Sequence, residues 1–186
     1  DGELVGGTLD VAGMRRRMQM VFQDSHASLN PRMTVGECIG FAPRMHGMAA
    51  ARVKEKVHGL LDMVGLDARI FANRYPHELS GGQRQRINIA RALALEPRLP
   101  ILDESVSALD KSVEAQILNL LAELKERLDL TYIFISHDLN VIEYISDRIL
   151  VMYLGQVVEQ GAVDAVYGNP RHPYTKALLS SKPSLD

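Results

Sequence analysis

Leu79-Ser80-Gly81-Gly82-Gln83 runs directly into Arg84-Gln85-Arg86, a Ser-Gly-Gly turn opening an arginine-rich segment. Glycine lets backbone N–H groups come close to an anion, and Ser80 can cap a helix and offer its hydroxyl. The first turn of that helix carries partial positive charge. The stretch therefore reads as a phosphate-holding helix start, although taken alone it could be no more than a glycine-rich cap. The periodic pattern that follows predicts a helix from Ser80 to about Leu95, stopped by Glu96-Pro97.

Working outward, two apolar runs end in reactive side chains. Ile101-Leu102 leads into Asp103-Glu104, and Ile133-Phe134-Ile135 leads into Ser136-His137-Asp138. Val113, Ile117, Leu120, Leu121, Leu124 and Leu128 mark the apolar face of a long helix between these runs. Strand, helix, strand in this order predicts a parallel sheet covered on both faces. Carboxylates at a strand end stand where an open α/β sheet places its ligand-binding groups.

Upstream, residues 1–23 read as short strands and a turn, with Met18 to Phe22 a strand candidate. Thr34 predicts an N-cap with Glu37 completing a capping box, and Pro43 should bend or end that helix. Val53, Val57, Leu60, Leu61 and Val64 predict an amphipathic helix over 49–64 with Gly65 as its stop. Tyr75-Pro76-His77 reads as loop. Downstream, a short helix over 139–145 precedes a hairpin around Leu154-Gly155, and the tail is a short helix, a turn and a second short helix.

The 186 residues carry a formal net charge of −2, with 46% hydrophobic and 24% charged residues, a balance that favours a folded domain over disorder. It gives no electrostatic ground for a nucleic-acid partner. Cys38 is the only cysteine, which excludes an intrachain disulfide and fits a reducing compartment. No apolar run approaches the ~20 residues needed to cross a bilayer, so any membrane work is expected through partner subunits.

Five stretches in order, Gln23 in Met20-Val21-Phe22-Gln23, Leu79 to Gln83, Asp103-Glu104, Ser107-Ala108-Leu109-Asp110 and His137, resemble the Q-loop, signature, Walker B end, D-loop and switch histidine of the ATP-binding subunits of ABC transporters. The resemblance implies an α/β P-loop NTPase core of the RecA type with an inserted helical subdomain. The expected divisions are a partial core at 1–34, the helical subdomain at 35–93, the returning core at 94–160 and a tail at 161–186.

The resemblance also implies roles. Asp103 and Gln23 would hold Mg²⁺, and Glu104 would be the general base or water-orienting group for attack on the γ-phosphate of ATP. His137 would contact the γ-phosphate and the attacking water. Ser80, Gly81, Gly82 and Gln83 would bind the γ-phosphate of ATP held by a second ATPase subunit. Asp110 would cross the dimer interface, with a helix N-cap as its plainer reading, and Asp103 likewise has the reading of a helix-capping residue.

Segments 23–35 and 168–179 resemble the oligopeptide and dipeptide importers. That implies permease subunits in the membrane, a periplasmic or extracellular substrate-binding protein acting through them, and a peripheral position on the cytoplasmic face. The loop from Ser28 to Met33 is the expected docking place for a permease coupling helix.

The family's phosphate loop, G-x-x-x-x-G-K-[ST], is absent, since no Gly-Lys pair occurs in the chain. The expectation is an N-terminally truncated ATPase, inactive by itself. Pro100 inside a strand, Ser105 after the paired carboxylates, Lys111 beside Asp110 and His26 also depart from the family pattern. A soluble ABC protein of DNA repair or translation and a non-catalytic interaction module are the competing expectations.

Overall fold

The computed structural model describes residues 10–23 and 27–182, and they form two compact units, Asp1–Ile135 and Ser136–Asp186. His26 lies outside the described residues.

In the first unit, α1 (Val11–Arg17) leads into β1 (Met18–Val21). The strand is as expected; Val11–Arg17 is a helix rather than part of short strands and a turn, and residues 1–9 of that expectation lie outside the described residues. The Asp10 carboxylate caps it by accepting from the Gly13 N–H at 3.0 Å, and three arginines in its last turn suit the negative end of the helix dipole.

Next comes the helical part. α2 (Val35–Met45) starts at the expected capping box, with the Glu37 N–H donating to Thr34 Oγ1 and the Thr34 N–H donating to Glu37 Oε2. It continues through Pro43 to Met45 instead of ending there. In the last turn a missing N–H removes a single hydrogen bond, and the proline ring is buried. α3 (Ala50–Met63) follows the expected span and stops at Gly65, whose φ of +75° glycine adopts without strain. After α4 (Ala68–Phe71), the expected loop at Tyr75–His77 is part of a 3₁₀ turn over Pro76–Glu78, closed by the Glu78 carboxylate accepting from the Tyr75 N–H.

α5 (Gly81–Leu93) is the central element. Its Ile87, Ile89 and Ala90 are buried, and it packs on α2 and α3, on β1, and on α6 (Lys111–Leu128). Between α5 and α6 runs β2 (Leu99–Asp103), and β3 (Ile133–Ile135) closes the unit. The sheet is parallel, in order β1-β2-β3, with Val21 opposite Leu102 and Asp103 opposite Ile135.

Pro100 lies opposite Gln19 in β2, while pairing with β3 begins one residue later at Ile101, so proline sits at the start of the strand on that side. β3 is shorter than the expected 131–135. Covering of both faces does not extend to it, since Ile133 and Ile135 are 45% and 47% exposed. Among the described residues β3, like β1, is an outer strand paired on one side only.

In the second unit, α7 (Leu139–Ile145) precedes an antiparallel hairpin of β4 (Arg148–Tyr153) and β5 (Gln156–Ala162). Leu154 and Gly155 both have positive φ, which suits a two-residue hairpin turn. α8 (Val163–Gly168) and α9 (Pro173–Ser180) complete the expected tail.

Candidate functional site

β1 and β2 run in parallel, so their carboxyl ends open at the same end of the sheet. Gln23 follows β1 by two residues, Asp103 is the last residue of β2, and Glu104 comes immediately after it. Gln23 Nε2 donates to Glu104 Oε2 at 2.8 Å, joining residues 81 positions apart. This leaves Gln23 Oε1 as the amide's acceptor atom beside the Glu104 carboxylate.

Glu104 is fixed by more than its side chain. Its N–H donates to the Ile135 carbonyl at 2.9 Å, and Ser107 Oγ donates to the Glu104 carbonyl at 3.0 Å. Its φ of +44° lies in the left-handed region that an ordinary side chain adopts only at a cost. The strained backbone turns Glu104 away from the strand direction of Asp103, so the adjacent carboxylates are free to take separate tasks. Ser105 beside it is 3% exposed, and its Oγ is buried with no protein partner.

The Ser-Gly-Gly turn is the start of α5. Ser80 Oγ accepts from the Gln83 N–H at 3.3 Å, and Gln83 Oε1 accepts from the Ser80 N–H at 3.0 Å, a reciprocal capping box. The turn packs on the segment that opens α6. A Cβ at Gly82 would lie 2.6 Å from Val113 Cγ1, so glycine there is required by packing. A Cβ at Gly81 would meet Leu109 Cδ2 at 3.6 Å, an ordinary contact. Gly81 and Gly82 are thereby brought against Leu109 and Val113, which flank Asp110 in sequence. Asp110 holds the N-cap position of α6, but its carboxylate makes no capping bond. Lys111 next to it pairs with Glu114 at 2.9 Å.

His137 belongs to the second unit. It is exposed in the turn before α7, where the Asp138 N–H donates to Ser136 Oγ at 3.0 Å and the Asp138 carboxylate caps the helix at Asn140. Asp138 is the capping residue here. Asp103, by contrast, is followed by Glu104 and a turn rather than by a helix.

Two features had no signal in the local sequence. Ser107 supports Glu104, and Arg91 in the last turn of α5 donates through Nη1 to the Ser28 carbonyl, 63 positions away. Arg84 of α5 donates to Leu79 O and Arg86 to Val64 O, so both hold backbone carbonyls.

Residues 6–107 match the family model described as ABC transporter, and 158–186 match the one described as oligopeptide/dipeptide transporter, C-terminal region. The oligopeptide transport ATP-binding protein OppF of Bacillus subtilis is 51% identical over all of this chain and 64% of its own length. AppF of the same organism, likewise named an oligopeptide transport ATP-binding protein, is 57% identical over 91% of this chain and 52% of its own length. Escherichia coli OppF is 55% identical over 93% of this chain and 52% of its own length. The chain thus spans between half and two thirds of these curated relatives.

A solved structure, CbiO1 of Clostridium perfringens, described as part of an ABC transporter complex, matches with a TM-score of 0.77 at 29% identity. It covers 84% of this chain and 61% of its own. The parallel sheet with its inserted helices, the ordered motifs and a family model spanning more than half of the sequence agree: this chain belongs to the ABC transporter family.

Proposed function

We propose that the chain supplies the hydrolytic end and the signature turn of the ATP-binding subunit of a peptide-class ABC importer. The observation that carries this reading is the 2.8 Å hydrogen bond from Gln23 to Glu104 at the carboxyl ends of β1 and β2. It aims a carboxylate, through a strained backbone, at the place where an open α/β sheet receives its ligand. The names of the relatives and the matched C-terminal region support the peptide class.

Glu104 is placed to orient a water and accept its proton as the water attacks phosphorus, with Gln23 holding the carboxylate in one orientation. Asp103 and Gln23 Oε1 are hard oxygen donors, which fits Mg²⁺. The described residues hold no cluster of three or more His, Cys, Asp or Glu, so a cation here would depend on phosphate oxygens and water as well. Bound Mg²⁺ would neutralise charge on the β- and γ-phosphates. The 186 residues contain no Gly-Lys pair.

The signature turn would meet the nucleotide of a second subunit, with Gly81 leaving room for a close approach of phosphate to the α5 N–H groups. Permease subunits in the membrane are the partners such an ATPase drives. No helix among the described residues is long and apolar enough to cross a membrane itself.

The test joins a Gly-x-x-x-x-Gly-Lys-Ser/Thr strand–loop–helix segment ahead of Asp1, with Glu104→Gln to prevent turnover. Sedimentation should show a dimer on adding ATP and Mg²⁺ and a monomer without them, and Ser80→Arg should keep the protein monomeric. A folded, ATP-binding protein that stays monomeric before Ser80 is changed would contradict the reading.

A further inference from the structure

The turn that presents His137 stands on a short helix. α7 has seven residues, too few for a helix to hold itself in water, and of these Val141 alone is buried. Its place is therefore set by what is fastened to it, and two fastenings come from the C-terminal region. The Tyr167 hydroxyl of α8 donates to the Leu139 carbonyl at 2.6 Å, and Lys182, just past α9, pairs with the Glu143 carboxylate. Leu139 and Glu143 are four residues apart, so both fastenings meet one side of α7.

The two are joined to each other, since the Lys182 ammonium lies 5.4 Å from the centre of the Tyr167 ring. They are not equal. The Lys182–Glu143 pair is partly exposed, and such pairs contribute little. The half-buried Tyr167 hydroxyl makes a short bond to main chain. Burial first, then the charges of Glu143 and Asp138, pushes its pKa up to about 12, so it keeps its proton and stays a donor in neutral solution.

From Leu139 the connection to His137 is short. The Asp138 carboxylate accepts from the Asn140 N–H at 2.9 Å in the first turn of α7, and the Asp138 N–H donates to Ser136 Oγ at 3.0 Å. The residues on either side of His137 are thereby tied to the end of α7 that Tyr167 holds.

We propose that Tyr167 is a positioning residue for His137: its hydroxyl, on the Leu139 carbonyl, sets where the His137 turn stands, so that the C-terminal region matched over 158–186 braces the histidine. The consequence for hydrolysis rests on the functional reading above and on the contact with the γ-phosphate that the family resemblance implies for His137.

The His137 imidazole resonances, followed by NMR in the full 186-residue chain at one pH and without nucleotide, test this. Tyr167→Phe removes the hydroxyl and keeps the ring under Lys182. It should displace the His137 imidazole and Leu139 carbonyl resonances, while the Arg171 and His172 amides, which Glu159 holds, stay at their native positions. Lys182→Met should displace His137 less than Tyr167→Phe does.

An unmoved His137 resonance in Tyr167→Phe overturns the proposal. So does an equal displacement of the Arg171 and His172 amides, because general loosening would then explain the change. Lys182→Met acting as strongly as Tyr167→Phe overturns it as well, since the hydroxyl would not be the deciding anchor. Failure of Tyr167→Phe to fold also counts against it, because a hydroxyl that only places a turn is not needed for folding. The readout uses no nucleotide, so each of these results leaves the reading of Gln23 and Glu104 standing, and loss of that reading leaves the placement of His137 intact.

Discussion

Two adjacent glycines in the signature turn answer to different causes. At Gly82 the reason lies within the chain, where Val113 leaves no space for a methyl group and, as a β-branched residue on a helix, has little rotamer freedom to retreat. At Gly81 packing gives no such reason, and the function proposed above supplies one, close approach to a phosphate. Gly82→Ala should destabilise the protein by about 1–3 kcal/mol. Gly81→Ala should change stability by less than about 0.5 kcal/mol while weakening ATP-driven dimerisation. Urea unfolding of the two variants checks the first contrast and sedimentation the second. Equal losses of stability would remove the argument that Gly81 is kept for its ligand.

Among the elements, the best-read ones carry their own chemistry at their ends. Thr34 and Glu37, then Ser80 and Gln83, are three residues apart, and each pair closes the capping box that this spacing announces. Thr34→Ala should therefore cost about 1 kcal/mol, measurable as a shift of the urea midpoint with unchanged slope. The poorly read ones lack a periodic signal. Val11–Arg17 buries no residue, so no apolar stripe marks it as a helix, and its Asp10 cap is the only local sign. α2 runs past Pro43 with the proline ring buried and one helical bond lost, a tertiary placement that a single residue cannot announce.

The tail is held by one carboxylate of β5. Glu159 accepts from the N–H groups of Arg171 and His172 at 2.8 and 3.0 Å. The Thr175 hydroxyl, first, and these N–H groups hold its pKa below the ordinary glutamate value. Since the folded pKa is the lowered one, the stabilisation is complete above the unfolded value and is lost as pH falls through the folded one. The Arg171 and His172 amide resonances should titrate together at a pH below the ordinary glutamate range and cease to do so in Glu159→Gln. Titration at or above that range would show that the tail is not held this way.

For the molecule as a whole, the order of motifs carried the family, and the strand–helix–strand pattern carried the parallel sheet. Both are properties of sequence order, because apolar runs and end residues are local. What stayed hidden is what joins distant positions. The Gln23–Glu104 bond spans 81 residues and Arg91–Ser28 spans 63, and neither partner's type foretells the other. The positive φ of Glu104 was equally hidden, since glutamate is not a residue chosen for that region. Exposure of Ile133 and Ile135 could not be read either, because it depends on which strands lie beside β3.

The central claim is that the carboxyl end of β2 is where ATP is cleaved, with Glu104 as the group that prepares the water. ATP hydrolysis by the chain joined to the Gly-x-x-x-x-Gly-Lys-Ser/Thr segment, at saturating ATP and Mg²⁺, tests it most directly against the same protein carrying Glu104→Gln. The account predicts measurable turnover that Glu104→Gln lowers about a hundredfold or more while nucleotide binding is kept. Equal turnover by the two proteins, both folded and both binding ATP, would contradict it.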